Sequence, residues 1–374
     1  MKKILFVFGT RPEAIKMASV VNVFKKDTDN FETLVAVTAQ HRHMLDQVLS
    51  VFNIVPDYDL DLMSADQTLE NLTVDILGGI SNLLIEVEPD LVFVQGDTTT
   101  TFAASLASFY KKVPVGHIEA GLRTSNIYSP FPEEINRRIT SSIASYHFPP
   151  TQQAKQNLLN EGVNEEKIIV TGNTVIDALL SVSRRVESDL SKYEEEFLNE
   201  YGFNFIDQKT ILVTGHRRES FGEGLENICN AVKYIAENNN VQIIYPVHLN
   251  PNVQEPVNRI LGDHSNVFLI PPQDYVPFIL LMKSADIILT DSGGVQEETT
   301  VLGIPCLTLR DTTERPITIT QGTNILVWNE TQKIIEEAFK ILDGQGKQGT
   351  YLPIWDGRTA ERIIEVLSQK VTKI

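Results

Sequence analysis

The sequence predicts an α/β protein with two parallel sheets, and three observations carry that expectation. Short apolar, β-rich runs alternate with helical patterns along almost the whole 374-residue chain, the pattern of strands joined by crossover helices. The runs fall into two sets, separated by the polar stretch 183–209. The length also suffices for two domains of ordinary size, each with its own core.

Taken in order, the first set of expected strands is 4–8 (ILFVF), 33–37 (TLVAV), 90–95, 113–118 and 167–172 (KIIVTG). The second is 210–215, 241–247, 266–271, 286–291 and 304–309. After the first run, Ala14, Met17, Ala18, Val21 and Phe24 keep the i, i+3, i+4, i+7 spacing of an amphipathic helix. Glu194, Glu195 and Glu196 read as a solvated helix face in the separating stretch. The expected division is 1–172 and 173–356, with a last helix at 357–374 whose pattern allows packing on either domain.

Composition narrows the function classes. The balance of 32 Lys+Arg against 49 Asp+Glu, net −17, argues against nucleic acid and an anionic membrane face as partners. A small anionic ligand stays open, because exposed charges beyond a screening length of about 8 Å count for little. The opening MKKILFVFGTRPEA is too short in apolar length for a signal peptide or membrane span, so a cytoplasmic protein is expected. Cys229 and Cys306 match no metal or redox spacing. GQGKQGT (344–350) lacks the spacing of a phosphate loop, and the absence of GxGxxG removes the best support for a nicotinamide or flavin. His41 and His43 stand at i and i+2, which diverge on a helix start, so no metal is expected there.

In doubly wound sheets, ligands bind beyond the C-terminal ends of the strands, and here those ends carry the unusual residues. Arg11 and Lys16 follow the first run, Asp97 the third, Glu119 the fourth, and His216 with Arg217 and Arg218 the first run of the second set. Gln273 follows 266–271, and Ser292-Gly293-Gly294 follows 286–291 at the start of a helix carrying Glu297 and Glu298. Glycines let backbone N–H groups approach a ligand, and the helix end carries partial positive charge, so a phosphate or diphosphate suits it. Glu298, a turn further in, suits a sugar diol. Ser292 as a plain N-cap is the competing reading. Glu297 reads as an exposed carboxylate supporting the helix dipole, Phe278 as core, and Glu133 and Glu134 after Pro132 as dipole partners.

The strings FGTRPEAIKM, TAQHRHMLDQVL, GDTTTT, GHIEAGLRT, PFPEEINR, TGNTVIDAL, VTGHRRESFG, YPVHLNPNV, LTDSGGVQEE and RDTTERP together resemble the non-hydrolysing UDP-N-acetylglucosamine 2-epimerases. The likeness runs from about residue 3 to 328 and again over 356–363. It implies two Rossmann-like domains facing across a cleft, a glycosyltransferase-B-like architecture, with the C-terminal helix returning to the first domain. It makes Arg11, Lys16, Gln273, Phe278, Ser292, Gly293, Gly294, Glu298 and Arg315 contacts to the nucleotide-sugar, and thereby moves Phe278 from core to uracil. Asp97, Glu119, Glu133 and His216 match the catalytic group. The implied reaction is reversible C2 epimerisation of UDP-N-acetylglucosamine through loss and re-addition of UDP, with 2-acetamidoglucal between. Two faces of C2 need two acid/base groups, and the resemblance does not divide the three carboxylates between them. No cofactor or metal is implied; a homodimer is. A hydrolysing epimerase and a glycosyltransferase of similar architecture are the alternatives. Relatives often carry His at Gln95, Arg or Gly at Asp66, and Gly at Trp328. Gln40, His41 and His248 fit a second, activating UDP-sugar site, while Asp66 would repel its phosphate.

Overall fold

Central strands buried on both faces need near-continuous apolar runs, and the first one shows it: Leu5, Phe6, Val7 and Phe8 have no exposed surface. The computed structural model describes residues 1–38, 42–62, 67–124, 126–215 and 217–370. The chain divides into two compact units, Met1–Ala178 joined by the segment from Pro353 onward, and Leu179–Leu352.

The first unit holds β1 (Lys2–Phe8), β2 (Phe31–Val37), β3 (Tyr58–Asp59), β4 (Leu91–Gln95), β5 (Val115–Ile118) and β6 (Tyr146–Phe148). They pair in the order β3-β2-β1-β4-β5-β6, all parallel, with Ile4 beside both Thr33 and Leu91. The helix Arg11–Lys26 opens with a capping box between Thr10 and Glu13 and sends Phe24 against Phe6 and Phe93. The Phe6 and Phe93 rings stack at 5.0 Å between centroids.

The second unit holds β7 (Lys209–Thr214), β8 (Val241–Pro246), β9 (Val267–Ile270), β10 (Ile287–Thr290), β11 (Cys306–Thr308) and β12 (Asn324–Leu326). Their order, β12-β11-β10-β7-β8-β9, repeats the first topology. Both sheets therefore reverse direction at one point, between β1 and β4 in the first and between β7 and β10 in the second. Those reversals are where parallel sheets open a crevice for ligands.

Several elements differ from the sequence reading. The expected strand 167–172 makes only an isolated bridge, Ile168 to His147, because its neighbour β6 is three residues long and runs into Pro149 and Pro150. β3, β6 and β12 are too short to give a periodic signal. The polar stretch forms two helices, Thr174–Ser188 and Leu190–Tyr201. The unit boundary falls at Ala178/Leu179, inside the first of these. In the first unit, the helix Thr359–Lys370 packs on Arg11–Lys26, and Asp177 accepts the Ala360 N–H at 2.9 Å. Trp328 adopts φ 55°, a left-handed conformation that glycine takes without cost. Cys229 and Cys306 are buried, which pushes both thiols up to about 12 and leaves them inert. Among the described residues no helix is long and apolar enough to cross a membrane.

Candidate functional site

In the first unit the C-terminal ends of β1, β4 and β5 carry one connected polar group. Glu119, just past β5, is buried and sits at φ 61°, a left-handed conformation that costs a non-glycine residue about 1 kcal/mol. Its Oε2 accepts hydrogen bonds from both the Lys16 Nζ and the Gln95 Nε2. Lys16 comes from the helix after β1 and Gln95 is the last residue of β4, so three strand ends meet at one carboxylate.

Asp97 is held differently. The preceding Gly96 turns at φ 73°, and its carbonyl accepts from His117 Nε2 at 2.7 Å, which places that imidazole's proton on Nε2. Arg137 Nε donates to Asp97 Oδ2 at 2.8 Å and Asn136 Nδ2 to the Asp97 carbonyl at 2.9 Å. Both donors belong to the helix Glu133–Ile143. Glu13 joins the loops after β1 and β4. Its carboxylate accepts from the Gly9 and Thr10 N–H groups at 3.0 and 2.8 Å and from the Thr98 hydroxyl at 2.6 Å. Burial raises its pKa, and those hydrogen bonds oppose the rise.

Glu133 begins the helix Glu133–Ile143 and is half-buried. Its neighbour Glu134, also in the first turn, is fully buried and accepts from Arg137 Nη1 at 3.0 Å and from Arg138 Nε at 3.2 Å. Arg11 is the first residue of its helix and half-buried.

In the second unit, the reversal between β7 and β10 is closed by Asp291, whose Oδ2 accepts the Arg217 N–H at 2.8 Å. Ser292 occupies the N-cap position of the helix Gly293–Leu302, yet its side chain makes no capping hydrogen bond. The Ser292 side chain thus leaves the first N–H groups of this helix uncapped, a kind of helix end at which an anion can bind. Glu298, buried one turn in, accepts from the Tyr275 hydroxyl at 2.9 Å. Phe278 is half-buried on Tyr275–Lys283, while Leu281 and Met282 on that helix are fully buried. Gln273 Nε2 donates to the Pro271 carbonyl at 2.8 Å.

Glu297 departs from its expected exposure. It is buried, and its Oε1 lies 2.9 Å from Arg315 Nε. The physical reason is the guanidinium beside it, which a carboxylate must neutralise once both leave water. His248 is exposed, its Nδ1 accepting the Asn250 N–H at 3.1 Å. His216, Gln40, His41 and Asp66 lie outside the described residues. No group of His, Cys, Asp or Glu able to hold a metal occurs among the described residues.

The sequence model of the family described as UDP-N-acetylglucosamine 2-epimerase matches residues 24–368. The chain belongs to that family. The UDP-N-acetylglucosamine 2-epimerase of Salmonella typhimurium is 55% identical over 370 residues, covering 98% of each chain. A crystal structure of the Neisseria meningitidis UDP-GlcNAc 2-epimerase bound to UDP-GlcNAc superposes with a TM-score of 0.93 at 47% identity, over 98% of this chain and all of that one. The Methanocaldococcus jannaschii UDP-GlcNAc 2-epimerase, in complex with UDP-GlcNAc and UDP, gives 0.85 at 35%, over 98% of this chain and 99% of that one. The two-sheet fold is thus that of the UDP-GlcNAc 2-epimerases.

Within this member of the epimerase family, the geometry joins to the candidate site residues that the sequence does not single out: Glu13, Gln95, His117, Asn136, Arg137 and Tyr275. Their signal was weak because each acts through a partner distant in sequence. Only Glu13, three residues from Thr10 in a capping box, is recoverable from local spacing.

Proposed function

We propose that the chain interconverts UDP-N-acetylglucosamine and UDP-N-acetylmannosamine by eliminating and re-adding UDP through 2-acetamidoglucal. The observation that carries this reading is the meeting of Glu119, Lys16 and Gln95 beside the Arg137-held Asp97, at the strand ends of one sheet, in a member of this family.

The C2 hydrogen has no adjacent carbonyl to acidify it. Breaking C1–O sends the bonding pair to the diphosphate and develops positive charge at C1. A carboxylate then takes the C2 proton as the C1–C2 double bond forms. Protonation of C2 from the opposite face, with attack of the diphosphate oxygen on C1, restores the UDP-sugar with C2 inverted. The sequence involves no net oxidation. Asp97, Glu119 and Glu133 supply the proton transfers. His216 and Arg11 stabilise the departing diphosphate together with the open helix end. Lys16 serves both that charge and the orientation of Glu119. Ser292, Gly293, Gly294 and Arg315 take the diphosphate, Glu298 the ribose diol, and Gln273 and Phe278 the uracil. The reading includes a cytoplasmic homodimer that supplies surface polysaccharide synthesis.

Incubation of purified protein with UDP-N-acetylglucosamine in D₂O tests it. Deuterium should enter C2 while the UDP-sugar pool stays intact. Free N-acetylmannosamine accumulating in place of that pool would establish the hydrolysing reaction instead. Dependence on an acceptor would establish glycosyl transfer.

A further inference from the structure

We propose that Gly293 is glycine in order to seat the Arg315 guanidinium, and that Glu297 and Glu314 position that guanidinium at the open end of the helix Gly293–Leu302. The inference rests on the reading that this end receives the diphosphate of UDP. The expectation from sequence was that both glycines serve the ligand's approach to the backbone. The geometry separates them. A Cβ on Gly293 would lie 2.4 Å from Arg315 Nη1 and 2.7 Å from its Cζ, closer than real Cβ contacts come, whereas one on Gly294 would meet nothing within 4 Å. Gly294 is the residue that keeps open space for a ligand; Gly293 keeps space for a side chain.

The guanidinium needs holding there. A helix N-terminus carries partial positive charge and repels a cation within its first turn. Arg315 nonetheless lies against it, 7% exposed, because two carboxylates grip it. Glu297 Oε1 is 2.9 Å from Arg315 Nε, and Glu314 Oε1 pairs with Nη1. The second Glu314 oxygen accepts from Arg310 Nη1 at 2.9 Å, and Arg310 is itself 2% exposed. Arg310 Nε also lies 3.4 Å from Glu219 Oε1, so two buried arginines are held among three carboxylates and the cation stands in place before any phosphate arrives. This answers why acidic residues crowd an anion site. Glu297 and Glu314 do not meet the ligand; they fix the planar fork that does.

A double-mutant cycle in UDP affinity, measured by titration calorimetry on the full-length chain, tests the coupling. Gly293→Ala should weaken UDP binding at least 10-fold when Arg315 is present and add no loss in the Arg315→Ala background. Costs that simply multiply would overturn the inference, because Gly293 would then serve the phosphate directly. The same cycle with Glu297→Gln should give a loss of about 3- to 10-fold that vanishes without Arg315; an equal loss in both backgrounds marks a merely structural carboxylate and overturns its positioning role. Should Gly293→Ala fail to fold, the Glu297 cycle decides alone. A wild-type chain that does not bind UDP overturns the underlying reading and this inference with it. A chain that binds UDP with independent costs overturns this inference only.

Discussion

Two histidines in the first unit should make its stability fall steeply in mild acid. His117 and His147 face one another across β5 and β6 and are 0% and 1% exposed. Burial depresses both, His117 to about 4 and His147 to about 3, from the ordinary 6.5. Arg123 lies close enough to oppose protonation of either ring, Arg137 adds to this at His117 and Lys167 at His147, while Asp97 favours His117 in its charged form. A depressed histidine contributes stability that is fully present above 6.5 and is lost as pH falls toward the folded value, because the unfolded chain takes up protons that the folded chain refuses. At pH 5.0 each ring costs about 1.36 × (6.5 − 5.0), or about 2 kcal/mol, whatever its folded value below that pH. The pair therefore removes about 4 kcal/mol, a large share of a typical 5–15 kcal/mol total. Trp355 donates its Nε1–H to the Pro150 carbonyl in the same unit, so its fluorescence in a Trp328→Phe background reports unfolding there. Urea titrations at pH 7.5 and 5.0 should show the full loss in that background and about 2 kcal/mol less in one also carrying His147→Leu. Equal losses in the two would refute the argument.

Asp97→Asn should lower kcat by about 10² to 10⁴ while UDP affinity stays within about 3-fold, the mark of a lost proton-transfer group; steady-state kinetics and calorimetry check the two halves. Glu298→Ala should weaken UDP binding by about 10- to 100-fold, and Tyr275→Phe by about 10-fold, since only one hydrogen bond to that carboxylate is removed. Gln95→Leu should lower kcat by about 10-fold and leave KM for UDP-N-acetylglucosamine nearly unchanged, because it removes one of the two hydrogen bonds that orient Glu119 and leaves the nucleotide contacts untouched. A rise in KM with kcat intact would place Gln95 in ground-state binding instead.

The architecture was legible because it is local. Strands such as 4–8 and 286–291 announce themselves by unbroken apolar runs, and the helix after β1 by a single face. What escaped is equally physical. β3, β6 and β12 are two or three residues long, below the length at which any period can be read. Residues 167–172 have the composition of a strand, yet a strand exists only where a neighbour offers its backbone, and β6 offers three residues before two prolines.

For the candidate site, the sequence offers single positions and not their pairings. Lys16 and Glu119 stand 103 residues apart, Gln95 and Glu119 24, Asp97 and Arg137 40. Lys16, Asp97 and Glu119 stand out singly as polar residues past a strand or on a helix, Gln95 and Arg137 do not, and nothing in the spacing tells which will meet. Glu297 shows the consequence. Read locally, a carboxylate at a helix start belongs in water beside the dipole; in the folded chain it is 1% exposed and faces a guanidinium 18 residues on. Net charge misleads for the same reason. An excess of 17 negative charges describes the chain as a whole, whereas a diphosphate bound as proposed at the helix Gly293–Leu302 would meet N–H groups and an arginine held by its own carboxylates. The local field there is set by those few oriented groups, since the surface excess is screened within about 8 Å.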